Sequence, residues 1–158
     1  MHTNKKNSKR IFRNLISVSL LTLIMADAVC AETDETTFNR GLTLFRNADF
    51  KSAQKAFESS ILADPDNAAA HFYLGLTHNK LNTDTDAALA LEKAHELNPS
   101  LPDVELNLGI SYYKIKNYKR ALIAFEQALS ENSESGEANF FIGLILQKKA
   151  IQSINFLF

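Results

Sequence analysis

Glycine returns in this chain at a fixed step. Gly41, Gly75, Gly109 and Gly143 are each 34 residues apart, Ala53, Ala87 and Ala121 keep the same interval, and so do Pro65 and Pro99. A constant period of ~20–50 residues is the mark of a stacked-repeat architecture, in which each unit leaves an apolar flank that only its neighbour can bury. About three units are needed for such a stack to hold, and 158 residues contain just over three.

Within a unit the apolar spacing is helical. Leu101, Val104, Leu108 and Tyr112 recur at helical intervals, as do Leu122, Phe125 and Leu129. The recurring small residues fall where two helices cross closely, so that a side chain there would push them apart. Pro65 and Pro99 end the second helix of their units, because proline lacks an N–H and clashes with the preceding turn. Asp49-Phe50 and Asn117-Tyr118 form short helix–helix turns, with Asp49 and Asn117 expected as N-caps. Asp84 and Asp86 flank another helix start and are expected to cap it.

The pattern resembles the tetratricopeptide repeat family, whose unit carries a small residue at position 8, alanine at 20, a large apolar residue at 24, a small one at 27 and proline at 32. Unit one, residues 34–67, has Gly41, Ala53, Phe57, Ser60 and Pro65; unit two, 68–101, has Leu74, Gly75, Ala87, Leu91, Ala94 and Pro99. Unit three, 102–135, has Leu108, Gly109, Tyr112, Tyr118, Ala121, Phe125 and Ala128, with Ser133 in the proline place. That last joint, inside a polar run, is expected to be softer than the other two. Unit one departs from the family at Thr37 and Arg40, as suits a terminal unit with one face in water. The resemblance implies an all-α, right-handed α-solenoid of antiparallel helix pairs: three units and a partial fourth over residues 136–158.

It also implies a function: a non-catalytic scaffold that binds a protein or peptide segment in the concave groove lined by the first helices. Unit positions 2, 5, 9, 12 and 13 are the groove-facing ones. Position 5 is Phe38, Phe72, Leu106 and Phe140; position 9 is Leu42, Leu76, Ile110 and Leu144. Position 12 is Phe45, Asn79, Tyr113 and Gln147; position 13 is Arg46, Lys80, Lys114 and Lys148. Aliphatic residues throughout position 9 imply an apolar groove with a basic rim, suited to an amphipathic helix or an extended segment with acidic flanks. The plainer alternative is packing, since apolar residues at helical spacing usually build core. Some family members hold a chaperone's C-terminal carboxylate with Lys and Asn at first-unit positions 5 and 9; Phe38 and Leu42 stand there, so that activity is not expected.

Residues 1–31 follow a different logic. Lys5, Lys6, Lys9, Arg10 and Arg13 precede the mostly apolar stretch Leu15–Met25, and small residues follow. That order is a secretory signal peptide's. Eleven residues fall short of the ~20 a membrane-spanning helix needs. A cut after Ala31 is expected, after Ala28 the alternative, with retention as an inner-membrane anchor the rival. Asp27 and Val29 argue against lipidation at Cys30. The chain is thus expected to be exported to a periplasm or cell envelope, with cell-envelope assembly as its setting by family analogy alone.

Charge and chemistry narrow the classes further. Five of the 17 basic residues and one of the 18 acidic ones lie in 1–31, so the remainder carries a net −5, against nucleic acid as a partner. A lone cysteine allows no internal disulfide. His71 and His78 are two turns apart, ~10.5 Å of rise, too far to share one ion, and His95 could meet only one of them. No cofactor motif or catalytic constellation is present, and an enzyme is not expected.

The fourth unit breaks the rhythm. Ile142 and Gly143 are in register, but Ala150, Ile154 and Leu157 arrive five residues early and the connecting turn is missing. One long or kinked helix is expected. Residues 140–158 are strongly apolar where a finished solenoid should be polar. Either they pack on a partner or a second copy, making a homo-oligomer, or the chain is a piece of a longer repeat protein. Lys148 and Lys149 split the apolar stretch, so no membrane span is expected there.

Overall fold

The computed structural model describes residues 36–155, with side chains to Ser153. The leader expected over 1–31, and the unit position assigned to Leu157, lie outside the described residues. Those residues form seven helices and no strand. They are α1 (residues 36–46), α2 (Phe50–Ala63), α3 (Ala68–Leu81), α4 (Asp84–Leu97), α5 (Val104–Lys114), α6 (Tyr118–Glu131) and α7 (Gly136–Asn155). Helices adjacent in the chain pack on one another from α2 to α7, and α3 with α5 and α5 with α7 also touch.

The 34-residue glycines explain why the pairs close. A Cβ built on Gly41 would lie 2.6 Å from the Phe57 ring, one on Gly75 2.6 Å from Leu91 Cγ, and one on Gly109 2.6 Å from the Phe125 ring. No real Cβ tolerates such contacts, so the first helix of each pair can approach the second only at glycine. Phe57, Leu91 and Phe125 are completely buried, as are Ala53, Ala87 and Ala121 on the same helices. Ring stacking joins units one and two and units three and four: Phe57 lies 5.8 Å from Tyr73, and Phe125 lies 5.3 Å from Phe141, nearly parallel.

The turns repeat as faithfully. Ala48, Asn82 and Lys116, also 34 apart, hold φ near +60°, and the next residue begins the following helix as its cap. Asp49 accepts from the Ser52 N–H and Asn117 from the Arg120 N–H. The α3–α4 turn differs from expectation. Thr83 is the cap residue and makes no side-chain cap bond. Its hydroxyl is taken by His78, whose Nδ1 lies 2.8 Å away. Asp84 does not cap either: it pairs with Lys114 Nζ at 2.8 Å, a partner thirty residues downstream.

Helices α2 and α4 stop two residues before Pro65 and Pro99, with Asp64 and Asn98 extended. Helix α6 ends the same way at Asn132 with serine in the proline place, the cap N–H bonding Ala128 O as its counterparts bond Ser60 O and Ala94 O. Proline therefore reinforces a stop that the local geometry already makes. In the fourth unit, Ala150 holds the place of the left-handed corner but lies inside α7, a single 20-residue helix.

Candidate functional site

Helices α1, α3, α5 and α7 share one side of the stack, and between them lies a cleft of about 730 Å³. It is lined by Phe45 of α1, by Phe72, Leu76, Asn79 and Lys80 of α3, by Asp103 at the cap of α5, by Leu106, Asn107, Ile110 and Lys114 of α5, and by Glu137 of α7. Phe72, Leu76, Leu106 and Ile110 are half-buried side chains that make an apolar floor.

The floor is held by polar bonds between the first helices. Ser111 Oγ lies 3.1 Å from Asn79 Oδ1 and 2.9 Å from Asn107 O, its one hydroxyl proton shared between the two acceptors, and so joins α5 to α3. Lys114 Nζ bonds Asn79 O at 3.3 Å besides its ion pair with Asp84. The basic rim expected from position 13 is thereby corrected. Lys114 is already neutralised by Asp84, and Asp103 and Glu137 bring negative charge to the same cleft. The rim carries both signs.

The remaining groove candidates lie outside the cleft lining. The Phe38 ring packs 5.8 Å from Phe57 and 5.9 Å from Tyr73, filling the α1–α2–α3 junction. Leu42 and Leu144 are half-buried, while Arg46, Gln147 and Lys148 are exposed. Tyr113 turns its ring to Tyr118 and Phe141, at 5.8 and 5.0 Å. Phe140 is 61% exposed.

Asp103, Asn107 and Glu137 were not singled out by residue. Asp103 and Glu137 both occupy unit position 2, a groove position, and are 34 apart. Asn107 stands at position 6, where Tyr73 and Phe141 stack on the preceding unit's buried ring. Unit two buries Leu91 instead of a ring, so position 6 of unit three has nothing to stack on and a polar residue serves. That exchange was visible in the sequence.

On the opposite side of α5 a polar cluster ties units two and three. Glu105 is 3% exposed and lies 2.7 Å from His95 Nδ1. Burial pushes its carboxyl up, His95 pulls it down, and Glu131 adds a smaller push up. Among the described residues its Oε2 has no hydrogen-bond partner. Tyr112 donates its hydroxyl to Glu92, which Arg120 also pairs at 2.8 Å while its guanidinium sits 4.4 Å over the Tyr112 ring. Burial first, then that bond, raise the Tyr112 phenol well above its ordinary value. The histidines are tied separately: His71 to Pro65 O, His78 to Thr83 and His95 to Glu105. Among the described residues no cluster of three His, Cys, Asp or Glu could hold a metal, and no helix is long and apolar enough to cross a membrane.

A family model described as tetratricopeptide repeat matches residues 38–102, and a second of the same description matches 102–135. Peroxisome biogenesis protein 5 of Arabidopsis thaliana is 35% identical over 72 residues, 46% of this chain and 10% of that protein. The Protein SGT1 homolog of Oryza sativa subsp. japonica is 28% identical over 116 residues, 73% of this chain and 30% of that protein. The chain thus spans a minor part of the curated relatives it matches. Among solved structures, the first TPR of Spaghetti (RPAP3) bound to the HSP90 peptide SRMEEVD superposes with TM-score 0.71 at 18% identity, covering 75% of this chain and 94% of that one. MamA protein gives 0.72 at 24%, covering 75% and 65%. At such identities these two show the fold alone.

Proposed function

The chain belongs to the tetratricopeptide repeat family, whose members are non-catalytic interaction scaffolds, and we propose that it binds a peptide or protein segment in the α1–α3–α5–α7 cleft. The observation that carries this is the floor of Phe72, Leu76, Leu106 and Ile110, four half-buried apolar side chains that line an open cleft while Phe72, Leu106 and Ile110 also pack against the core. A segment that lays two or three apolar anchors on that floor gains the apolar burial that drives groove recognition. The mixed rim selects a segment carrying both signs, with an acidic residue toward Lys80 and a basic one toward Asp103 or Glu137.

The Spaghetti domain named above is bound to the HSP90 peptide SRMEEVD, which is acidic. This chain has Phe38 and Leu42 where a carboxylate clamp wants Lys and Asn, so its ligand is an apolar segment and not a free acidic C-terminus. The setting proposed is the cell envelope, reached by export through the leader read in residues 1–31; the mature N-terminus, read by mass, tests it.

Selection from a displayed library of amphipathic peptides tests the cleft. Leu76→Asp and Ile110→Asp should each weaken the selected peptides at least tenfold, as loss of a central apolar anchor does, with the helical circular dichroism unchanged. Unchanged affinity in both folded variants would remove the cleft from the account.

A further inference from the structure

We propose, resting on the cleft reading above, that the segment held there is an amphipathic helix of about three turns, laid antiparallel to α3 and α5. Its first turn is acidic and meets Lys80; its last turn is basic and meets Asp103 and Glu137.

The charges of the cleft stand at its two edges. Asp103 caps the start of α5 and Glu137 lies in the first turn of α7, whereas Lys80 and Lys114 lie in the last turns of α3 and α5. Helices α3 and α5 run side by side in one direction, since Ser111 and Lys114, late in α5, both bond Asn79, late in α3. Asp103 and Lys114 are therefore ~16.5 Å apart along the axis of α5. Lys114 is spent on Asp84. Among the described residues Lys80, Asp103 and Glu137 enter no ion pair, and all three are exposed. One edge is thus left negative and the other positive.

The floor favours a helix over an extended chain. Phe72 and Leu76 are one turn apart on α3, and Leu106 and Ile110 one turn apart on α5, so each pair forms a ridge along its own helix. Between two parallel ridges runs a furrow that takes a row of apolar side chains at helical spacing from a third helix. An extended chain over the same ~16.5 Å would lay down about five residues, whose N–H and C=O groups over the floor would lose water against apolar side chains. The cleft replaces little of it. Asn79 Oδ1 is taken by Ser111, Asn107 Nδ2 by Asp103 O, and Lys114 by Asp84 and Asn79 O. A helix bonds its own backbone internally. Direction follows from charge. A helix favours acidic residues in its first turn and basic ones in its last, because of its own dipole. Laid antiparallel to α3 and α5, such a helix brings opposite charges together at both edges and sets its dipole against theirs. Laid parallel, it meets like charges at both edges.

Peptides selected on the full chain from an unbiased displayed library are the probe, each remade with its charges reversed in sign and, separately, with a central proline. The selected peptides should carry acidic residues ahead of basic ones and gain helical circular dichroism on binding. Proline breaks a helix but leaves an extended chain intact, so it should weaken binding roughly tenfold or more. Charge reversal should cost about fivefold, since exposed pairs turn from attraction to repulsion. On the chain with Lys80→Glu and Glu137→Lys, both exposed positions, the reversed peptides should become the tighter ones. Tolerated proline, or a charge preference that the double variant does not invert, overturns the helix and its direction. If Leu76→Asp still weakens those same peptides, the cleft reading survives that result. Peptides indifferent to Leu76→Asp, or a library that yields none, remove the cleft and the helix together.

Discussion

Helices α5 and α7 are the same element of successive units, yet their matching residues meet different surroundings. Gly109 lies under the Phe125 ring; among the described residues nothing lies within 4 Å of a Cβ built on Gly143. Tyr112 is 3% exposed, whereas Leu146, its equivalent, is 54% exposed. Glu105 is buried, whereas Asn139 is in solvent. The two helices keep one register, and the presence or absence of the next helix decides what each position costs. A repeat consensus therefore states which neighbour a residue expects, and its energetic weight appears only where that neighbour is in place.

Substitution can sharpen this contrast. The largest effect is expected at Gly109→Ala. The new methyl would overlap the buried Phe125 ring, and overpacking of a filled core costs about 1–3 kcal/mol, more than the ~1 kcal/mol of helix propensity gained. A lower midpoint in urea checks it; a rise would show that Phe125 can step aside and that the glycine is incidental.

An intermediate effect is expected at Glu105→Gln, and it carries a pH signature. Burial raises the folded-state pKa of Glu105 above its ordinary 4.5. The folded state thus favours the protonated form, and the stability this contributes is complete below the unfolded value and is lost as pH rises through the folded one. Glutamine stays neutral throughout. The variant should match the parent at pH 3–4 and exceed it by roughly 1 kcal/mol at neutral pH, read as a melting-temperature difference that grows with pH. A difference that shrank with rising pH would show that the contact with His95 outweighs burial.

The smallest effect, of opposite sign to the first, is expected at Gly143→Ala. With no neighbour to strike, only helix propensity changes, a gain of about 0.5–1 kcal/mol in dilute protein. Equal behaviour of the Gly109 and Gly143 variants would break the comparison outright.

The fold was legible because its determinants are local and periodic. The glycines, the position-24 residues they face and the Asp49 and Asn117 caps all lie within one unit's sequence. The cleft floor was legible at Phe72, Leu76, Leu106 and Ile110 for the same reason. Its rim was not. The partner of Lys114 is Asp84, across a helix turn and a whole helix of the preceding unit, and no spacing rule within a unit reveals that pair. Phe38 and Tyr113 share register with cleft residues, but rings beside them claim their side chains. Periodicity says which face a residue occupies; whether a ring turns inward or toward the cleft depends on neighbours that the period does not name.

The left-handed corners at Ala48, Asn82 and Lys116 carry one more consequence. They share a backbone conformation and are one period apart, so a second copy of residues 83–116 inserted after Lys116 would enter and leave through bends that already match. Evolution or an engineer could lengthen the molecule by whole helix pairs without inventing a new joint, and the cleft would grow by one floor tile each time.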